Sequence, residues 1–152
     1  MYSIIIKGTK NSGKSTTIHE VCRLLEPINV SELNIGEKQI THRDGNLDNG
    51  TYIIEVNSKN ILVIAGAPTE QDATVTEIME VCIKLKISIQ FIISAMRSRE
   101  LKPSFDTINE LKKMSTLLLI EEIHRIDGDD FQESDEWINR ISKISRIITN
   151  NL

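Results

Sequence analysis

No stretch of the 152-residue chain approaches the roughly 20 consecutive apolar residues that a membrane-spanning helix needs, so no membrane segment is expected. Positive charge is not in excess either: 18 basic residues stand against 22 acidic ones, a formal net charge of −4. Binding nucleic acid in general takes a basic face that releases counterions from phosphates, and nucleic acid is therefore not an expected partner. Cysteine is scarce. Cys22 and Cys82 fall at apolar positions of predicted helices and read as buried free thiols, without a disulfide framework or metal spacing. The three histidines are scattered and form no ligand set with them. Met1–Lys7 is too short for the apolar core of a signal peptide, which leaves a cytoplasmic location as the expectation. Low-complexity tracts, internal repeats and long linkers are also missing, so residues 1–152 read as one domain, of a size that buries roughly two-thirds of its unfolded surface. A hydrophobic share of 39% with abundant isoleucine argues against disorder.

What is present is an alternation of short strand and helix patterns. Ser3–Lys7 is a β-branched run, and Gly13–Leu25 places Ile18, Val21, Cys22 and Leu25 on one helical face before Pro27 closes it. The stretch from Ile28 to Asn49 is rich in turn formers, with one short strand at Lys38–His42. Thr51–Val56 and Ile61–Ala65 are strand patterns joined by the polar link Asn57–Asn60, which predicts an antiparallel hairpin. A helix over about Glu70–Lys86 follows, with Thr69 and Asp72 at capping-box spacing. Ile87–Ala95 is apolar throughout and reads as a central strand. Ser104–Met114 reads as a helix and Thr116–Ile123 as a last strand. A final helix is capped by Asp130 and Glu133, with Trp137, Ile141, Ile144 and Ile148 on its inner face. Strands alternating with helices predict an α/β protein, its mostly parallel sheet covered on both faces and carrying the hairpin as an antiparallel edge.

One motif carries chemistry. Gly8-Thr9-Lys10-Asn11-Ser12-Gly13-Lys14-Ser15 fits G-x-x-x-x-G-K-[ST] at every fixed position, with Thr16 next, and it lies between an apolar strand and an amphipathic helix. A loop wrapped around a phosphate must aim several backbone N–H groups inward, which excludes side chains where the backbone approaches closely. Gly8 lets the chain turn out of the strand, and Gly13 lets it enter the helix. Lys14 reaches the β- and γ-phosphates, the Ser15 hydroxyl is placed for Mg²⁺, and the helix N-terminus adds its dipole.

These residues resemble the P-loop nucleoside-triphosphatase superfamily. That resemblance implies a three-layer α/β fold, a bound nucleoside triphosphate (ATP or GTP) with Mg²⁺, and Gly8 through Thr16 as its binding loop, with Ser15 as metal ligand and Lys14 as catalytic cation. The strand–helix–hairpin–helix order is further similar to the small Ras-like GTPases, some of which rely on an activating protein partner.

The family pattern also has gaps here. A Walker B carboxylate is expected at the end of a second buried strand. Ile61-Leu62-Val63-Ile64-Ala65-Gly66 ends without one, and if Gly66 is the glycine of a D-x-x-G signature, Val63 stands at its aspartate. Glu70, Asp72, Asp44 and Asp48 are the nearby substitutes, or else loop and cap carboxylates. His124-Arg125-Ile126-Asp127 keeps only the basic residue and the aspartate of a guanine-specifying N/T-K-x-D, so Asp127 is either a base contact or a turn residue before Gly128. ATP is accordingly favoured over GTP. Arg97 and Arg99 follow the central strand at the edge where ligands bind in parallel sheets, and are candidates for contact with a transferring phosphate or for a solvated loop. Glu121 and Glu122 are out of place on a buried strand, which either ends at Ile120 or turns one of them to the site. Three functions follow: nucleotide binding with slow or partner-stimulated Mg-dependent hydrolysis, a small-molecule kinase with Asp44 as base and Ile28–Gly50 as acceptor region, or a non-catalytic nucleotide-binding interaction module.

Overall fold

Isoleucines at three successive positions can all be buried only in a strand covered on both faces, because side chains alternate from one face to the other. Strand β1 (Tyr2–Gly8) does this with Ile4, Ile5 and Ile6, each fully buried. Ile4 and Ile6 join a core with Ile18, Val21 and Cys22 of α1 (Lys14–Leu24) and with Trp137, Ile141, Ile144 and Ile148 of α5 (Asp135–Thr149). Ile5 faces the opposite core, filled by Val75, Ile78, Val81 and Cys82 of α3 (Val75–Lys84) and Leu111 of α4 (Thr107–Met114). A computed structural model describes residues 1–152 as this mixed α/β arrangement, a seven-stranded sheet with helices against both faces.

The remaining strands are β2 (Asn29–Asn34), β3 (Gln39–His42), β4 (Thr51–Val56), β5 (Lys59–Ile64), β6 (Phe91–Arg97) and β7 (Thr116–Glu122). Their order across the sheet is β3-β2-β4-β5-β6-β1-β7. The expectation of a mostly parallel sheet is corrected. The pairs β5–β6, β6–β1 and β1–β7 are parallel, but β3–β2, β2–β4 and β4–β5 are antiparallel. Nor is the β4–β5 hairpin an edge. Strand β4 is buried along nearly its whole length and takes β2 as its outer neighbour, which leaves exposed β3 as the edge. Strand β2 escaped prediction because Asn29, Ser31, Glu32 and Asn34 break any apolar alternation, and only Leu33 is buried.

Several boundaries also move. The hairpin turns on two residues, Asn57 and Ser58 (φ +52° and +61°), instead of four. The helix expected over Glu70–Lys86 is two: α2 (Pro68–Gln71) is stopped by Asp72 in the left-handed region (φ +54°), and α3 restarts with a capping box made by Thr74 and Glu77, not by Thr69 and Asp72. Ser134 caps α5 by accepting from the Trp137 amide at 3.2 Å, whereas Asp130 and Glu133 belong to the short 3-10 turn before it. The central strand starts later than expected and runs on to Arg97, whose register partner is Gly8. The cysteines are free and buried as read, and burial pushes their thiols up to about 12 for Cys22 and about 11 for Cys82. No helix is long and apolar enough to cross a membrane.

Candidate functional site

The loop between β1 and α1 is built by its glycines. A Cβ on Gly8 would overlap the Ser12 hydroxyl, and Gly13 enters the helix at φ +95°, a conformation that L side chains rarely adopt. Asn11 is also left-handed at φ +62°, so the chain curls twice within three residues. As a result the N–H groups of Lys10, Asn11, Gly13, Lys14, Ser15 and Thr16 donate to no backbone carbonyl. Helix α1 has no side-chain cap and no acidic residue in its first turn, so nothing negative competes for its N-terminus. Successive N–H groups presented by a tight curl at a helix start make an anion-binding concavity. Lys14 is 7% exposed and folds back over the loop, its Nζ donating to the Thr9 carbonyl at 2.8 Å. Burial is the main cause that lowers its pKa, opposed by Glu70 and reinforced by Arg97. A buried cation of this kind gains when an anion arrives beside it.

The loop forms one wall of a cleft of about 470 Å³, whose only apolar lining residue is Ala65. Lys10, Lys14, Arg97 and Arg125 bring four cations to it, against the single carboxylate of Glu70. Arg97 arrives because β6 pairs with β1 in parallel and ends level with Gly8. Glu70 arrives because the chain leaving β5 turns through Gly66 and Ala67 into α2. The two meet at 2.6 Å, Arg97 Nε donating to Glu70 Oε1. Asn49 completes the cleft: the Ser15 hydroxyl donates to its Oδ1.

Beside this cleft, and sharing Asn11, Gly13, Thr16 and Arg125 with it, lies a second cavity of about 260 Å³. Ile126, Asp129, Phe131, Trp137 and Arg140 form much of its wall, and Ser12, whose buried hydroxyl has no partner, lines it too. Phe131 and Trp137 pack edge to face at 5.2 Å between ring centres. Arg140 is buried behind them. It donates from Nη1 to Thr17 Oγ1 at 3.2 Å and from Nη2 to the His124 carbonyl at 2.7 Å, tying α5 to α1 and to the end of β7. Its guanidinium stacks 5.6 Å from the Trp137 ring, and burial lowers its pKa.

Lys10, Asn11, Gly13, Lys14, Ser15, Thr16, Arg97 and Glu70 are thus brought together on the cleft, whereas Gly8 and Thr9 do not line it and Ser12 lines the second cavity. The other candidates are not. Arg99 is exposed and outside the cleft. Asp44 pairs with His42 at 2.9 Å, Asp48 with Arg43 at 2.7 Å and Asp72 with Lys102 at 3.2 Å. Asp127 is exposed and pairs with Arg125 at 3.2 Å, and the carboxylate on the wall of the second cavity is Asp129. The strand β7 does run through Glu121 and Glu122. It is an edge, and Glu121 meets Lys143 at 2.7 Å. Asn49 and Arg140 were missed. Asn49 is one polar residue among many in a turn-rich tract, but Arg140 had a signal, since helical spacing sets it beside Trp137 and Ile144.

For a divalent ion the donors are hard oxygens, the Ser15 hydroxyl and the Glu70 carboxylate, while the Asn49 amide oxygen accepts the Ser15 proton. No group of three among His, Cys, Asp and Glu is placed to hold a metal ion. Such a set fits Mg²⁺ held largely by phosphate oxygens and water, as Mg²⁺ commonly is, and not a cage made by protein alone. In comparisons with known proteins, no family model, no curated sequence and no solved structure matches the chain.

Proposed function

We propose that the chain is a P-loop nucleoside-triphosphate-binding protein, with ATP preferred to GTP and with slow or partner-stimulated Mg-dependent hydrolysis. The observation that carries this reading is the loop itself: six N–H groups without backbone partners, at an uncapped helix start, beneath a buried lysine in a cleft of four cations. Phosphates occupy the cleft, and the adjoining cavity takes the base. The parallel strands β5, β6, β1 and β7, with a helical layer on each face, are the portion of the sheet that supports the P-loop fold assignment. ATP is preferred because Arg125 and Asp127, the two remnants of a guanine motif, pair with each other and Asp127 faces solvent. Asp129 is the carboxylate within the cavity, which makes GTP the second ligand to test.

Slow turnover has a local cause. The only carboxylate in the cleft, Glu70, has an oxygen engaged by Arg97, so that oxygen does not orient a water while the pair holds. A triphosphate that draws Arg97 away, or a protein partner that supplies an anion to Arg97, releases it. The same pair, together with the carboxylate-free end of β5, supports a second reading as a binding module without turnover. A kinase reading finds less support, since neither Asp44 nor Arg99 lines the cleft.

The test uses Trp137, the chain's single tryptophan, which lines the second cavity. Titration with ATP, GTP and their diphosphates, with and without Mg²⁺, is expected to change its emission and to raise the thermal midpoint, because a ligand specific to the folded state stabilises it. Lys14→Ala should weaken triphosphate binding by at least about 30-fold, as expected when one partner of a buried charged contact is truncated. Unchanged affinity in that variant overturns the phosphate site. Phosphate release then separates the hydrolase from the binding module.

A further inference from the structure

Resting on that reading, we infer that Asn49 is the positioning residue that sets the metal dependence of triphosphate binding, standing in for the carboxylate that β5 lacks. A serine hydroxyl has one proton and two lone pairs. For its oxygen to face a metal ion, the proton must go to an acceptor on the other side. The Ser15 proton goes to Asn49 Oδ1. That leaves the lone pairs of Ser15 free toward the cleft it lines with Lys14 and Glu70.

Asn49 is held for this task from several directions. Its backbone lies so close to Gly66 that any Cβ there would overlap the Asn49 carbonyl. The Ala65 and Gly66 amides donate to the Gly50 carbonyl at 2.9 Å and 3.1 Å, and Gln71 Nε2 donates to the Gly66 carbonyl at 2.6 Å. One residue earlier, the Asp48 amide donates to the Tyr52 hydroxyl at 2.8 Å, and Leu47 is buried in the core shared with α1. The end of β5 therefore contributes backbone, not a carboxylate, and what that backbone fixes in place is Asn49. An amide carries no charge. It orients Ser15 without itself attracting a cation, so the metal requirement is coupled to the arrival of the triphosphate.

The experiment measures ATP affinity of the full chain by Trp137 emission, in Mg²⁺ and in EDTA, and takes the ratio of the two. In Asn49→Ala the ratio should fall by about tenfold or more, the scale seen when a partner that orients a metal ligand is removed. Ser15→Ala should give a similar loss, and the double variant should lose no more than either single one, because Asn49 acts through Ser15. Asn49→Asp, nearly the same shape, should move the ratio the other way: its carboxylate repels the triphosphate in EDTA and accepts the Ser15 proton in Mg²⁺. This second variant guards against a folding defect in the alanine, which the thermal midpoint reports. A wild-type ratio near one, a normal ratio in Asn49→Ala with Mg²⁺-dependent wild type, or additive losses in the double variant overturns the assignment of Asn49 while the phosphate site stands. No binding by the wild-type chain under either condition overturns both.

Discussion

The two halves of the sheet are built on different terms, and the candidate site lies on the seam between them. On one side β6, β1 and β7 run parallel. Strands β6 and β1 are sealed between helices on both faces, and every residue from Phe91 to Met96 is buried. On the other side β3, β2 and β4 run antiparallel, and burial fades outward until all four residues of β3 are exposed. The parallel half supplies the loop, Lys14, Ser15 and Arg97. The antiparallel half, with the chain that leaves it, supplies Asn49 and Glu70. The strands sealed on both faces thus carry the glycine-rich loop, while Asn49 comes from the tract between the exposed edge strand and β4, and Glu70 from the chain leaving β5.

The sharpest way to break this contrast is to remove one side chain from each half. Phe91→Ala deletes a fully buried ring from the start of β6 and should cost about 3–5 kcal/mol. Ile40→Ala removes an apolar side chain that is 40% exposed on the β3 edge, and should change stability by no more than about 0.5 kcal/mol. Urea unfolding of both variants measures the difference. Comparable losses would mean that β3 is integral to the core and that the halves are not distinct.

What could be read from the sequence follows the same division. Where strands are buried on both faces, sequence must be continuously apolar, and Ile4–Ile6, Ile61–Ile64 and Phe91–Ile93 announced themselves. The loop from Gly8 to Ser15 was legible for a related reason: close backbone approach restricts residue type, so Gly8, Gly13 and Lys14 leave a spaced pattern. On the antiparallel side one face is partly solvated and the residue choice is loose. Strand β2 then looks like a loop, and with it goes the true position of the hairpin in the sheet. Asn49 was invisible for the same cause. Its role depends on where Gly66 and Ser15 sit around it, contacts 17 and 34 positions away that no local pattern encodes.

The seam itself can be probed at Gly66. Alanine there drives a methyl group against the Asn49 carbonyl, and backbone cannot swing aside as a side chain would. A loss of about 1–3 kcal/mol is expected, the range for forcing an extra carbon into a packed site. The Mg²⁺-to-EDTA affinity ratio should fall with it, since Asn49 is displaced from Ser15. Loss of stability with a normal ratio would confine Gly66 to packing and separate the β5 end from the metal-linked side of the cleft.

The smallest effect sharpens the comparison most finely. The β4–β5 turn holds Asn57 and Ser58 both at positive φ, at +52° and +61°. Two-residue turns of this hand favour glycine at the second position, because only glycine enters the left-handed region without a Cβ penalty. Ser58→Gly relieves that penalty but makes the unfolded chain more flexible, and the two opposing terms leave a net stabilisation of up to about 0.5–1 kcal/mol. Where that gain appears is the informative part. If the antiparallel half opens on its own before the rest, amide exchange should slow in β4 and β5 while the amides of β6 and β1 keep their rates. If both halves unfold together, exchange in the most protected strands should slow equally. The first outcome is expected, because β4 is tied to the outer strand β2, of which only Leu33 is buried, and through it to exposed β3. Uniform slowing would show that the seam transmits stability across the whole sheet, and that Asn49 and Glu70 sit on a support as rigid as the loop they face.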